Sequence, residues 1–278
     1  MNILNTPLWN SLLLDPSQTR EAKPRNTGMT MLIDKGIGPL VFEEILSYAT
    51  PYIDFIKLGF GTAVLYPVET LKQKIALAKA AGITLYPGGT FFEIAYLNGL
   101  FSEYLVSLEE FGFSCLEISD GTISLSVGER RRIIKECRQR GFTVLAECGK
   151  KASGSHLTID ELERTLYSDI DCGASYVIVE GRESGANVGI YNSEGEPDYE
   201  FLTAIRRIIG PEVRDRLIWE APQKNQQIDF IHFFGRNVNL GNIQTDDIYP
   251  LECLRRGLRS DTLLMPSGNS TSKSALSS

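Results

Sequence analysis

One local pattern recurs along this chain of 278 residues: a short aliphatic or β-branched run, a polar turn containing glycine, then an amphipathic helix. The runs Thr30–Ile33, Tyr52–Leu58, Thr84–Tyr86 and Cys115–Ile118 read as strands. So do Thr143–Ala146, Tyr176–Val179, Leu217–Trp219 and Val238–Leu240. Between them apolar residues fall at helical spacing, as in Leu71-Ile75-Ala78, Ile133-Ile134-Cys137 and Leu162-Leu166-Ile170. Gly82, Gly141, Gly173 and Gly210 are expected to end helices in the left-handed conformation. Eight strand-then-helix units predict the α/β class and a single-domain (β/α)8 TIM barrel. A doubly wound open sheet is the rival; the lack of a GxGxxG opening counts against it without deciding the matter. The barrel is expected over residues 29–262. An N-terminal arm, residues 1–28, with a short helix at Leu8–Leu14 precedes it, and a Ser-rich tail, residues 263–278, expected to be disordered, follows.

Charge narrows the partners. Lysine and arginine number 28 against 35 acidic residues, a net charge of −7, which argues against nucleic acid and anionic membranes. No stretch approaches the ~20 apolar residues of a membrane span. The opening Met1-Asn2-Ile3-Leu4 lacks the basic and apolar regions of a signal peptide. Cys115, Cys137, Cys148, Cys172 and Cys253 are scattered and odd in number, which reads as reduced thiols and a cytoplasmic location. Apolar helix faces are compatible with a homo-oligomer. The acidic balance poses a question, because an anionic substrate would need the field inverted locally.

In such a barrel the site forms where strands end. Strand 1 delivers Asp34-Lys35-Gly36, and strand 2 carries Lys57 before Gly59-Phe60-Gly61-Thr62. Strand 3 ends in Pro87-Gly88-Gly89-Thr90, with Glu93 just inside the next helix, and strand 4 in Glu117-Ile118-Ser119-Asp120. The next three strands each close on a glutamate: Glu147, Glu180 and Glu220. A carboxylate at an apolar barrel mouth costs desolvation unless it is paired or binds a cation. The bland explanation is ion pairing with Lys151 or Arg182. The alternative is a hard cation, Mg²⁺, on some of Glu117, Asp120, Glu147, Glu180 and Glu220. Two histidines, with no Cys/His cluster, argue against zinc. His232, in the apolar stretch Ile228–Phe234, reads as a packed core residue.

Cations converge on the same end: Lys35, Lys57, Lys150, Lys151 and Arg182. Lys57 lies inside the apolar run Asp54-Phe55-Ile56-Lys57-Leu58, where a solvated face is a poor explanation. Burial can tune such a lysine toward acid–base work, and pairing with strand-end carboxylates is the competing reading. The turns Gly88-Gly89-Thr90 and Leu240-Gly241-Asn242 are candidate anion cradles, each weak evidence alone.

These segments resemble the phosphosulfolactate synthase family. The resemblance is carried by Asp34-Lys35-Gly36, Asp54–Thr62, Tyr86–Thr90, Glu117–Gly121, Glu147-Cys148-Gly149-Lys150-Lys151 and Val179–Gly185. It continues through Glu220–Gln227, Asn239–Ile243 and Leu251–Arg259, and spans about Gly28 to Thr262. The chain departs from the pattern at Phe60, where tryptophan is expected, and at Cys148, where valine is. The resemblance implies a Mg²⁺-dependent carbon–sulfur lyase that adds sulfite to phosphoenolpyruvate, giving (2R)-3-phosphosulfolactate on routes to coenzyme M or sulfolactate. Plant heat-stress-associated proteins belong to the same family. Sulfite would attack the CH₂ carbon while charge flows into the carboxylate, and a protonated group would then deliver H⁺ to C2. Lys151 is the expected general acid and Lys150 the fallback, with Lys57 a further catalytic candidate. Lys35, Arg182, Gly88, Gly89, Gly241 and Asn242 would bind the anionic substrates. Two other readings stay open: a phosphoenolpyruvate-using lyase with a different nucleophile, and a non-catalytic barrel protein.

Overall fold

A computed structural model describes residues 9–266. Eight strands alternate with helices: β1 (Thr30–Asp34), β2 (Phe55–Leu58), β3 (Thr84–Pro87), β4 (Cys115–Ile118), β5 (Thr143–Cys148), β6 (Tyr176–Val179), β7 (Leu217–Glu220) and β8 (Leu240–Ile243). The helices are α1 (Ser11–Leu14), α2 (Pro39–Ala49), α3 (Val68–Ala80), α4 (Gly89–Leu97), α5 (Phe101–Phe111) and α6 (Val127–Gln139). They continue with α7 (Ile159–Asp171), α8 (Tyr199–Ile208), α9 (Pro211–Arg214), α10 (Lys224–Phe234), α11 (Ile248–Arg256) and α12 (Ser260–Leu263). All ladders are parallel, in the order β3-β2-β1-β8-β7-β6-β5-β4. Pairing of the first strand with the last curls the sheet into a (β/α)8 barrel, and β3 lies beside β4 without a hydrogen-bonded ladder. The open doubly wound alternative is thereby excluded.

The strands are buried on both faces, which is why they read as near-continuous apolar runs. Alternation still sorts them. Met31, Phe55, Tyr86, Cys115, Leu145, Ile178 and Ile218 fill the barrel interior as one cluster. The intervening Leu32, Ile56, Leu116, Ala146, Val177, Val179 and Trp219 join the larger core under the helices. Trp219 stacks on Phe230 and Phe234 of α10, with ring centroids 5.0 and 5.3 Å apart. Two residues beyond the interior layer, the same side of β2, β4, β5 and β7, and the position just past β6, present Lys57, Glu117, Glu147, Glu220 and Glu180. The period of two that packs the core therefore also lifts the charges into one ring.

Some boundaries differ from expectation. Tyr52 lies in a short 3₁₀ turn rather than in β2, and β5 and β7 extend to Cys148 and Glu220. β8 begins at Leu240, so Gly241 and Asn242 lie inside the strand and not in a turn after it. Gly82, Gly141 and Gly173 adopt positive φ as expected. Gly210, with φ −58°, instead precedes α9, where Pro211 starts a new helix. The first helix is shorter than expected, Ser11–Leu14, with Asn10 capping it. Leu8 and most of the expected tail, residues 267–278, lie outside the described residues. Among the described residues no helix is long and apolar enough to cross a membrane.

Candidate active site

A cavity of about 270 Å³ opens at the C-terminal ends of the strands. Lys57, Gly88, Gly89, Glu117, Glu147, Lys151, Glu180, Arg182, Glu220 and Asn242 all line it, so ten of the anticipated residues meet in one place. Ile33, Gly59, Phe60, Thr90, Thr122 and Glu183 complete the wall.

Lys57 is the deepest cation, at 6% exposure. Its ammonium donates to Glu220 Oε1 at 2.5 Å and lies 3.6 Å from Glu117 and 3.8 Å from Glu147. Burial alone would favour the neutral amine, but Glu117, Glu220 and Glu147 together outweigh it and raise the pKa. The three carboxylates thereby favour the charged form of Lys57. Lys151 stands nearer the opening, its side chain 22% exposed. Its ammonium meets Glu147 at 2.8 Å, Ser119 Oγ at 3.1 Å and Thr90 Oγ1 at 3.4 Å, with Glu93 and Glu180 at 3.7 and 3.8 Å. Desolvation is again outweighed, by Glu147 first and then Glu180, and the pKa rises. Gly121 makes room for this side chain: a Cβ there would stand 2.8 Å from Lys151 Cγ.

The glutamates divide into two kinds. Burial opposes ionisation of Glu147, but Lys151 and Lys57 overcome it and hold the carboxyl below its ordinary range. Burial dominates at Glu117, pushing it up to about 7, and at Glu180, which is also raised, with Glu147 and Glu220 adding repulsion there. Glu117 Oε1 accepts from the Gly89 amide at 2.6 Å and Glu180 Oε1 from the Arg182 amide at 2.7 Å. Their other oxygens, Glu117 Oε2 and Glu180 Oε2, are buried with no hydrogen-bond partner among the described residues. Five buried carboxylates, counting Glu93 and leaving aside the exposed Glu183, thus stand with three cations, Lys57, Lys151 and Arg182.

Those two oxygens, ion-paired with lysines but not hydrogen-bonded, bear on the expected Mg²⁺. Among the described residues no three His, Cys, Asp or Glu side chains are arranged as a metal-holding group. Mg²⁺ commonly takes one or two carboxylates and fills its remaining positions with water and substrate oxygen. Glu117 and Glu180 fit that pattern, since each already spends one oxygen on a backbone amide and offers the other. Lysines hold Glu220 and Glu147 more closely, at 2.5 and 2.8 Å, than they hold Glu117 Oε2 and Glu180 Oε2, which lie 3.6 and 3.8 Å from Lys57 and Lys151. Asp120 does not fit: Arg130 and Lys150 hold it at 3.0 and 3.4 Å, away from the cavity wall.

Other expected residues are also placed elsewhere. Lys35 is exposed on the β1 turn, because Asp34 uses its carboxylate on the Gly36 and Ile37 amides, Tyr66 and the buried Lys74. Lys150 points away from the cavity and donates to the carbonyls of Asp120 and Ile123 at 2.6 and 2.9 Å. Gly241 lies inside β8 and does not line the cavity; a Cβ there would stand 2.3 Å from Met31 Cε, so glycine is what the barrel interior admits. The amides of Gly88 and Gly89 are likewise spent within the chain, on Leu58 O and Glu117. Gly89 serves close packing, since a Cβ would stand 2.4 Å from Ser119 Cβ. His232 is exposed on α10, its Nε2 3.0 Å from Asp261 O, and not part of the core.

Glu93, just inside the helix after strand 3 and without an expected role, also shapes the mouth. It is 2% exposed and accepts from Ser119 Oγ at 2.5 Å and from the Thr122 amide at 3.2 Å. A charge within Thr90-Phe91-Phe92-Glu93-Ile94-Ala95 was the available signal, of the same kind that singled out Lys57. Phe60, Arg182 and Asn242, all lining the cavity, have φ of +59°, +56° and +55°. Three non-glycine residues in the left-handed region around one cavity is strain gathered where a ligand would sit.

Residues 18–261 match the family described as (2R)-phospho-3-sulfolactate synthase (ComA). A phosphosulfolactate synthase of Methanocaldococcus jannaschii is 44% identical over 237 residues, covering 84% of this chain and 93% of that protein. One from Methanothermobacter thermautotrophicus is 43% identical, covering 88% and 94%. The Arabidopsis thaliana protein HEAT-STRESS-ASSOCIATED 32 is 23% identical, covering 89% and 91%. Among solved structures, 3-hexulose-6-phosphate synthase of Salmonella typhimurium shares the fold, with a TM-score of 0.52, 12% identity and coverage of 80% and 90%. With its strand-end motifs gathered at one barrel mouth and its similarity running nearly end to end, the chain belongs to the (2R)-phospho-3-sulfolactate synthase family of enzymes.

Proposed function

We propose that this protein catalyses the Mg²⁺-dependent addition of sulfite to phosphoenolpyruvate, giving (2R)-3-phosphosulfolactate, and so acts as a carbon–sulfur lyase. The observation that carries this reading is the Lys151 ammonium at the cavity wall, kept protonated by Glu147 and its neighbours. In the reaction the sulfur lone pair forms the C–S bond at the CH₂ carbon, the double-bond electrons move toward the carboxylate, and C2 gains a proton. Lys151 supplies that proton, and its fixed position makes delivery one-sided, which sets the R centre. Lys57 stays charged and holds Glu220, Glu117 and Glu147 in register under the substrate. Arg182, whose guanidinium offers planar paired donors, binds phosphate or carboxylate. Asn242 fixes the Arg182 carbonyl at 3.1 Å. Mg²⁺, held by Glu117 and Glu180, would supply Lewis-acid stabilisation of charge developing on the substrate carboxylate.

The same neutralisation answers the charge question. A site with an excess of carboxylates accepts a multiply charged anion only when a cation or protons cancel that excess, and Glu117 and Glu180 are the groups left to be cancelled. We place the enzyme in the cytoplasm, in keeping with five free thiols, four of them buried. The deciding experiment incubates purified protein with phosphoenolpyruvate, sulfite and Mg²⁺ and looks for phosphosulfolactate by mass spectrometry. Absence of product across pH and metal conditions would overturn the reading.

A further inference from the structure

We infer that Gln226 is a positioning residue that holds Arg182 at the cavity by pinning the long loop between β6 and α8. This rests on the reading of Arg182 as a substrate-binding residue and extends it to a group that touches no substrate. The loop, residues 180–198, is the longest strand-to-helix connection around the mouth, and Arg182 stands at its start. Long excursions of this kind cost ordering entropy unless something ties them down.

Gln226, in the first turn of α10, is fully buried. Its Nε2 donates to Gly185 O at 2.7 Å and to Gly195 O at 2.9 Å, while its Oε1 accepts from the Gln223 amide at 3.1 Å. One amide group therefore clasps both limbs of the loop to the β7 end of the barrel. The fit is close. Gly185 and Gly195 have φ of +62° and +81°, and a Cβ on Gly185 would stand 2.6 Å from Gln226 Nε2. Gln223 adds a parallel bond, its Nε2 donating to Ser184 O at 2.7 Å. The clasp sits three residues from Arg182, whose own left-handed backbone is held, among the described residues, by Glu180 and Asn242. A strained residue persists where its surroundings over-determine it, and the clasp supplies the constraint on its C-terminal side.

The loop in turn reaches the neighbouring loop that carries Lys151. Gly154 N donates to Asn187 O at 2.9 Å, Gly189 N to Ser155 O at 2.9 Å and Leu157 N to Gly189 O at 3.1 Å. The Asn187 side chain donates to Ser153 Oγ at 2.9 Å. Gln226 thus secures a joined pair of loops, with Arg182 its nearest functional group.

The test is a double-mutant cycle in the full-length enzyme, read as KM for phosphoenolpyruvate and kcat. Gln226→Ala leaves two carbonyls without their donor and should raise KM roughly tenfold with a smaller change in kcat. Gln223→Ala, at a half-buried position, should give a weaker effect of the same kind and serves where the first variant does not fold. In an Arg182→Ala background either substitution should add little, because the group it positions is gone. Effects that multiply fully in the double variant would overturn the inference while leaving the role of Arg182 intact. An Arg182→Ala enzyme with unchanged KM would overturn the reading of Arg182 itself, and the positioning role with it.

Discussion

The two ends of this barrel bury similar numbers of charges and treat them in opposite ways. At the N-terminal end, Arg25 grips Asp54 through bonds of 2.8–3.2 Å, and Asp54 also accepts from the Thr30 amide. Arg255, fully buried, donates to the carbonyls of Arg236, Val238 and Met29. Arg20 and Arg256 share Glu252. Partners there are backbone or fixed carboxylate, and cations are in excess. At the C-terminal end carboxylates are in excess, and those of Glu117 and Glu180 each keep one oxygen without a hydrogen bond, at ion-pair distance from a lysine. A buried charge closed off within the chain stabilises the fold against its own disruption, whereas one left open is available to a ligand. Neither burial nor an unmade hydrogen bond alone marks a site, since Arg20 Nη2 and Arg255 Nε also lack a partner among the described residues; an excess of buried carboxylates lining a cavity does.

That contrast can be broken most directly by exchanging activity for stability as the readout. Lys151→Ala should lower kcat by about 10²–10⁴-fold, the usual contribution of a positioned acid. Far-UV circular dichroism should stay native, because water in the cavity can solvate the groups left behind. Wild-type turnover in this variant would remove Lys151 from the chemistry. Arg25→Ala should do the reverse. Stranding Asp54 at a buried position costs on the order of 3–5 kcal/mol, a Tm loss of about 10 °C for a domain of this size. Its kcat per folded molecule should be unchanged, and a stability loss no larger than that of Lys151→Ala would erase the distinction between the two ends.

How much of this was legible depends on which force decided each residue. The interior layer and the ring of charges above it follow from a period of two within each strand. Lys57, Glu117, Glu147 and Glu220 were accordingly visible as charges closing apolar runs. Intrinsic strand preference puts β8 too early, because Leu240-Gly241-Asn242-Ile243 has little of it; the strand's position is set by packing against β1 and β7. The roles of Asp120 and Lys150 were hidden for another reason. Arg130, which draws Asp120 away, also binds Asp169 of α7, and no local spacing announces that three-way contact. Gln226 was equally silent, since its worth lies in carbonyls some thirty to forty positions earlier in the chain.

A cation should move the mouth and not the base. Glu117, raised from an ordinary 4.5 to about 7, costs stability as pH rises through that window, because the folded protein retains a proton that the unfolded chain releases. Mg²⁺ bound at Glu117 and Glu180 would replace that proton and offset the cost. Calorimetry should therefore show Mg²⁺ raising Tm more at pH 8 than at pH 5, with EDTA abolishing the gain. At a hundredfold excess over Kd the shift corresponds to about 2.7 kcal/mol. A Tm indifferent to Mg²⁺ at both pH values would count against these two glutamates as its holders.

The smallest expected effect separates the two adjacent lysines. Lys150 and Lys151 follow the same strand, yet their ammonium groups face different surroundings. Lys150 is half exposed and binds the carbonyls of Asp120 and Ile123, bracing the turn after β4 from outside. Lys151 takes its backbone bond from that same turn, N to Gly121 O at 3.0 Å, and sends its side chain inward. Removing Lys150 therefore loosens the turn against which Lys151 rests without removing a reacting group. An exposed contact of this kind contributes about 1 kcal/mol or less, so Lys150→Ala should lower kcat by no more than about fivefold and leave Tm nearly unchanged. A loss equal to that of Lys151→Ala would exchange the roles of the two side chains. The proton donor would then have to reach the substrate from the β4 turn, outside the ring of strand-end carboxylates.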